Sequence, residues 1–192
     1  MEIELVKATR ADTPTLRHLY ELYCHDFSEY THSDVREDGL YTDDGFLTGY
    51  WREPKWSSFL FMVNGRLAGF AWVLKTSIFA PGGDSAASAI LQQYGLLAGE
   101  HILMEEFFIL RKYRRQGLGR QAAVWLFDQF PGVWEVSEMV ENTPAQAFWR
   151  KVIGAYTSGR FVEINNSAGD WRGPVQVFRS ESGSGGINGS SV

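Results

Sequence analysis

The run HILMEEFFILRKYRRQGLGRQAAVWLFDQFPGVWEVSEMV, residues 101–140, constrains the fold of this chain more than any other stretch. It opens with a β-rich segment and breaks at a basic turn carrying Gly117 and Gly119. A helical pattern follows from Gly117 to Phe130, and after the Pro131-Gly132 break a second β-rich segment closes the run. A strand, a helix and a strand of this length form a right-handed parallel crossover. Upstream, SFLFMV and RLAGFAWVLK flank Asn64-Gly65, the strongest two-residue hairpin signal, so the sheet is antiparallel there.

The remaining elements follow from punctuation. IELVKA reads as a first strand, and Thr13-Pro14 as an N-cap with proline at the first helical position. Leu16, Leu19, Tyr20 and Tyr23 repeat on one face of that helix, which runs to about Phe27. TPAQAFWRKVI reads the same way, capped by Thr143, and YTSGRFVEI and VQVFR supply two last strands. The expected class is α/β, with a mixed, mostly antiparallel sheet around a central parallel crossover. A chain of 192 residues, 44% hydrophobic, supports one core, placed in residues 1–179. The Gly/Ser-rich residues 180–192 have nothing to bury and read as a disordered tail. Residues 28–55 read as a long polar loop or broken helix pair, and residues 80–99 as an insertion between strands with a short helix-like piece, a mobile flap.

Composition narrows the function. A formal charge of −5 excludes broad nucleic-acid binding, which needs a dense basic face. No apolar run suggests a membrane span, and the charged N-terminal segment lacks signal-peptide character, so the cytoplasm is the expected compartment. Cys24 alone makes no disulfide or multi-cysteine metal site and reads as buried and inert, and His25 and His32 fit no common zinc spacing. Against this acidic background, Arg111, Lys112, Arg114, Arg115 and Arg120 crowd a turn whose glycines let backbone N–H groups approach a ligand. Helix N-termini attract anions, so a polyphosphate is the natural occupant.

The order strand, YRRQGLG, helix, strand, ENTPAQAFWRKV resembles the Gcn5-related N-acetyltransferase (GNAT) family. Arg114, Gly117 and Gly119 match its Arg/Gln-x-x-Gly-x-Gly/Ala pattern, and Asn142, Ala145 and Phe148 match its Asn-x-x-Ala-x-x-Phe-Tyr pattern. The resemblance spans residues 1–179 and is specific over residues 105–154. It implies a GNAT-like fold and acetyl-CoA as co-substrate. The N–H groups of Arg115, Gln116, Gly117, Leu118, Gly119 and Arg120 would hold the pyrophosphate. Phe107, Phe108 and Ile109 would pair edgewise with the pantetheine arm, and Asn142, Ala145 and Phe148 would line the far wall.

Acetyl transfer needs a neutral amine, and an alkylammonium with pKa near 10.4 is only about one part in two thousand neutral at pH 7. Glu105 and Glu106 interrupt an apolar strand, and simple alternation places one on each face. By the resemblance Glu105 is the base and Glu106 binds the acceptor or makes a structural pair. The departure from the family is Trp149, which stands where most members have a tyrosine that protonates the leaving thiolate. Indole donates a hydrogen bond but has no proton to give. Trp149 is expected beside the pantetheine sulfur, with Tyr94, Tyr113 and Tyr156 as alternative acids. Asp26, Glu29, Asp34, Glu37, Asp38, Asp43 and Asp44 face only Arg36 in their stretch and suit a cationic acceptor. The expected partner is a small amine, acted on by a monomer or homodimer. An acyl-CoA sensor with little turnover, and an enzyme acting on protein N-termini or charged tRNA, are the alternatives.

Overall fold

The computed structural model describes residues 1–43, 45, 54–76, 85–166 and 172–181. Seven strands form one sheet: β1 (Glu4–Lys7), β2 (Trp56–Val63), β3 (Arg66–Thr76), β4 (His101–Ile109), β5 (Gly132–Ser137), β6 (Phe161–Asn166) and β7 (Gly173–Ser180). Their order is β1-β2-β3-β4-β5-β7-β6. Among the described residues only β4 and β5 are parallel, so the predicted crossover sits at the centre of an otherwise antiparallel sheet. Asn64 and Gly65 both take positive φ, 50° and 70°, as the tight hairpin turn requires.

Helices cover both faces. Helix α1 (Thr13–Thr31) lays Leu16, Leu19, Tyr20 and Tyr23 on Leu60, Phe70, Trp72 and Phe108. On the same face α2 (Ser85–Gln93) contributes Leu91, which packs with Leu96 against Val133, Val175 and Val177. The opposite face carries α3 (Leu118–Gln129) and α4 (Thr143–Thr157), whose Leu126, Phe127 and Ile153 join Phe61, Trp134 and Phe178 in the main core. No helix among the described residues is long and apolar enough to cross a membrane.

Several expectations change. Both proline-marked caps lie one residue earlier, at Asp12 and Asn142. Asn142 Oδ1 accepts from Ala145 N–H at 3.2 Å. Pro14 and Pro144 then fall one position further into the first turn, where amides have no carbonyl to bond. Helix α1 runs past Phe27 to Thr31 and ends at left-handed His32. The chain beyond it folds back, with Tyr41 and Thr42 N–H donating to the Glu21 carboxylate at 2.7 and 3.0 Å. The described part of the expected flap is docked: Arg179 Nη2 donates to the carbonyls of Gly95 and Ala98 at 2.8 and 2.9 Å, and Leu91 is fully buried. Residues 77–84, and 182–192 of the expected tail, lie outside the described residues. Ser180 belongs to β7 instead of the tail, with its hydroxyl donating to Phe130 O at 3.0 Å.

The largest correction concerns the acidic pair. Val73 pairs with Met104 and Trp72 with Glu106, which leaves Glu105 as an extra, bulged residue. Met104 and Phe107 both pack toward α3 and α4. The two residues between them therefore turn to the other face together, and Glu105 and Glu106 share the α1 side instead of being divided.

Candidate active site

The parallel pairing of β4 and β5 runs from His101↔Val133 to Met104↔Val136 and then stops. Past that point the strands part and open a cavity of about 1740 Å³, floored by β4 from Leu103 to Ile109 and walled by α1, α4 and the turn before α3. On its other edge β4 stays paired with β3 as far as Ile109↔Gly69. The backbone edge facing the gap is thus left for something extended. Ile109 is an exception within that edge, because its carbonyl already accepts from Arg114 Nε at 2.7 Å.

At one end of the cavity lies the glycine turn. Gly117 is the N-cap of α3 at φ +78°, preceded by Arg115 at φ +60°. A Cβ on Gly117 would meet no atom within 4 Å, so this backbone faces open space. A Cβ on Gly119 would sit 3.3 Å from the Phe148 ring, so that glycine lets α4 close against the start of α3. The first helical bond here is Gln121 N–H to Gly117 O at 3.2 Å, and the amides of Leu118, Gly119 and Arg120 have no carbonyl one turn back. The side chains divide. Those of Arg115 and Arg120 belong to residues lining the cavity, Leu118 is core, and Gln116 donates to Lys112 O at 2.8 Å. Arg114 and Arg111 do not stand free for a ligand: both grip Asp26 of α1, at 2.5 and 2.9 Å. Burial pushes the Asp26 carboxyl upward, and its hydrogen bonds and charge contacts with the two arginines more than offset that. Asp26 thus fastens α1 to the turn and is lost to the acidic surface expected of it. Arg114 also lies over the Phe108 ring, 5.5 Å away, which puts Phe108 under α1 and leaves Phe107 to face α4.

The other end is acidic. Glu105 reaches the surface of the cavity, and burial raises its carboxyl above the ordinary range. Glu106 lies deeper, accepting from Tyr20 Oη at 3.4 Å. Burial, opposed by the tyrosine hydroxyls and reinforced by Glu105, pushes it up to about 7. Sequence reasoning missed Glu135, which faces the same side from β5 and is pushed up to about 8 by burial and by Glu105. Glu138 follows on the same chain segment at 3% exposure, raised to about 8 by burial against a partial offset from Gln176. Cys24 is half-buried at the cavity wall instead of in the core, and burial pushes its thiol up to about 12, too high for a nucleophile.

Helix α4 supplies the far wall through Asn142, Ala145, Phe148 and Trp149. Asn142 acts through its cap, which fixes the helix start. Trp149 is 6% exposed and wedged among Phe107, Phe148 and Phe127, with ring centroids at 5.0, 4.9 and 6.3 Å. It is mainly a core residue with an edge on the cavity. None of the alternative acids lines it: Tyr113 is buried, Tyr94 is exposed, and Tyr156 donates to Asp128 at 2.8 Å. Among the described residues the tyrosines that do are Tyr20, Tyr23, Tyr30 and Tyr41, on α1 and the segment after it.

The same fold recurs in solved structures. An acetyltransferase from Thermus thermophilus superposes with TM-score 0.59 at 15% identity, covering 93% of this chain and 97% of that one. AAC(6')-Iy in complex with the bisubstrate analog CoA-S-monomethyl-acetylneamine gives 0.53 at 18%, covering 78% and 88%. Arabidopsis thaliana NAA60 in complex with a bisubstrate analogue gives 0.58 at 10%, covering 92% and 97%. At such identities these likenesses speak for the fold alone. A search of curated proteins found no match. The family model for the acetyltransferase (GNAT) family matches residues 16–155, from the first buried leucine of α1 through most of α4. This chain belongs to the acetyltransferase (GNAT) family.

Proposed function

We propose that the chain transfers an acetyl group from acetyl-CoA directly to a primary amine of a small cationic acceptor. The observation that carries this reading is the charge division of one cavity, basic at the glycine turn and acidic where β4 and β5 part. The residues fit the co-substrate. Free amides at the start of α3, with Arg115 and Arg120, suit a pyrophosphate, and the open edge of β4 at Phe107 suits the amides of a pantetheine arm.

The chemistry then falls to the acidic end. Glu105 takes a proton from the acceptor ammonium, and the freed lone pair attacks the thioester carbon. Collapse of the tetrahedral intermediate breaks the C–S bond and releases CoA thiolate, and the second proton of the acceptor nitrogen passes to solvent, leaving the neutral amide. Glu105 is preferred to Glu106 because it reaches the cavity surface, whereas Glu106 lies under Tyr20. Burial raises the proton affinity of Glu105, which strengthens it as a base. Trp149 supports the wall beside the thioester and gives no proton. A thiolate of pKa near 8.5 leaves without one at a cost in rate of about 10² to 10⁴.

Amine-dependent thiol release from acetyl-CoA tests the proposal. Turnover is expected with aminoglycosides, polyamines or simple alkylamines. Tight acetyl-CoA binding with no release for any amine would favour the sensor reading instead.

A further inference from the structure

The acidic end holds more carboxylates than one proton transfer requires. Glu135 stands across the parting from Glu105: it pairs with Leu103, and Glu105 lies two residues further along the neighbouring strand. Both line the cavity, and the charge of Glu105 contributes to the raised proton affinity of Glu135.

Glu135 is held from behind. Its Oε1 lies 3.2 Å from His101 Nδ1, and His101 Nε2 lies 3.2 Å from Leu97 O. A carbonyl only accepts, so Nε2 carries a proton. Nδ1 and the Glu135 carboxyl then share one further proton between them. The side chain of Glu135 is 12% exposed and that of His101 2%, so the carboxyl faces the cavity and the imidazole does not. Among the described residues the cations lining the cavity are Arg111 and Arg114, which hold Asp26, Arg115 and Arg120, which flank the glycine turn, and Lys151, on α4. No ion pair joins a lysine or arginine to Glu105, Glu106 or Glu135 among the described residues. Further along the same wall Glu138, 3% exposed, has no well-formed hydrogen bond to either carboxyl oxygen among the described residues, Gln176 and Arg150 offsetting its burial only in part. Three carboxyls in a half-closed space with no lysine or arginine paired to them among the described residues suit positive charge from outside, and one ammonium at Glu105 leaves Glu135 with only the proton it shares with His101.

We propose that the acceptor carries at least two ammonium groups, with Glu135 holding the second while the first reacts at Glu105. The inference rests on the acetyl-transfer reading and adds a two-point recognition to it.

The test compares kcat/KM for linear diamines with that for n-alkyl monoamines of matched length, in the wild type and in Glu135→Gln. A charge-assisted contact predicts a wild-type preference for diamines of about 10- to 100-fold. In Glu135→Gln that ratio is expected to fall to within about 3-fold of unity, through KM, because glutamine keeps a hydrogen bond to His101 but not the charge. Equal wild-type turnover of monoamines and diamines would overturn the inference and leave the transferase reading intact. A Glu135→Gln variant that slows both acceptors in the same proportion would overturn it too. Absence of acetylation for every amine removes both readings together. If Glu135→Gln does not fold, the wild-type ratio still decides.

Discussion

At the residue scale Glu105 and Trp149 carry the reaction's two proton questions, and the protein answers them unequally. A base must be ionised to act, and burial raises the Glu105 carboxyl, so activity is expected to climb with pH through that raised value. Glu105→Gln should lower kcat at neutral pH by about 10²-fold or more and displace the pH–rate profile upward, with acetyl-CoA affinity near wild type. An unchanged profile would hand the proton to water or to Glu106. Trp149→Tyr should keep or raise turnover, since a phenol offers the proton that indole lacks. Trp149→Ala should lower stability by about 3–5 kcal/mol, because its ring packs on Phe107, Phe148 and Phe127. Thermal melting with turnover separates the two variants, and equal loss in both would place Trp149 wholly in the core. The acidic pair was legible as a candidate but not in its geometry. Alternation divides Glu105 from Glu106, and the bulge that reunites them shows only in the apolar Met104 and Phe107, three positions apart and both in the core. Glu135 went unread because one acid between Trp134 and Val136 looks like the solvent side of a half-exposed strand.

At the scale of elements, the crossover, the hairpin and all the main helices were readable, since period and punctuation are local. Helix starts were readable only to within a residue. Thr-Pro marks the first turn, but the atom that caps α4 belongs to Asn142, whose Oδ1 reaches Ala145 N–H. Asn142→Ala should therefore cost about 0.5–2 kcal/mol by denaturant unfolding and Thr143→Ala much less; the reverse order would restore threonine as the cap. The glycine turn has its own test. Gly117 holds φ +78° and faces open space, so Gly117→Glu adds backbone strain, bulk and negative charge at the proposed pyrophosphate. Calorimetry should then show acetyl-CoA binding abolished; undiminished affinity in a folded variant would take the turn out of the site. What the sequence could not disclose was the fastening of α1 to this turn, because Asp26 and the two arginines are more than eighty positions apart.

For the whole molecule, the carboxyls raised by burial set a pH dependence of stability. Glu106, Glu135 and Glu138 hold protons in the fold to about 7, 8 and 8, against a reference of 4.5. Between those limits the folded chain binds more protons than the unfolded one, so stability falls as pH rises. Asp26 and Glu163 act oppositely, but their contribution is already complete above the unfolded carboxylate range. The melting temperature should decline from about pH 5 to pH 8 in the free protein. Glu138→Gln should flatten that decline, raising the melting temperature at pH 8 while leaving it little changed at pH 5. A flat wild-type profile would mean that these carboxyls ionise freely in the fold. The same proton-holding groups surround the proposed acceptor position, so the feature that weakens the free protein at alkaline pH is the one that welcomes an ammonium. The most direct measurement is a single turnover: the protein preloaded with acetyl-CoA is mixed with a diamine, quenched at intervals and analysed by mass spectrometry. Direct transfer predicts that acetylated amine and free CoA appear together at one rate while the protein's mass stays unchanged. An acetylated protein that forms before the product, or CoA released with no acetylated amine, would contradict it.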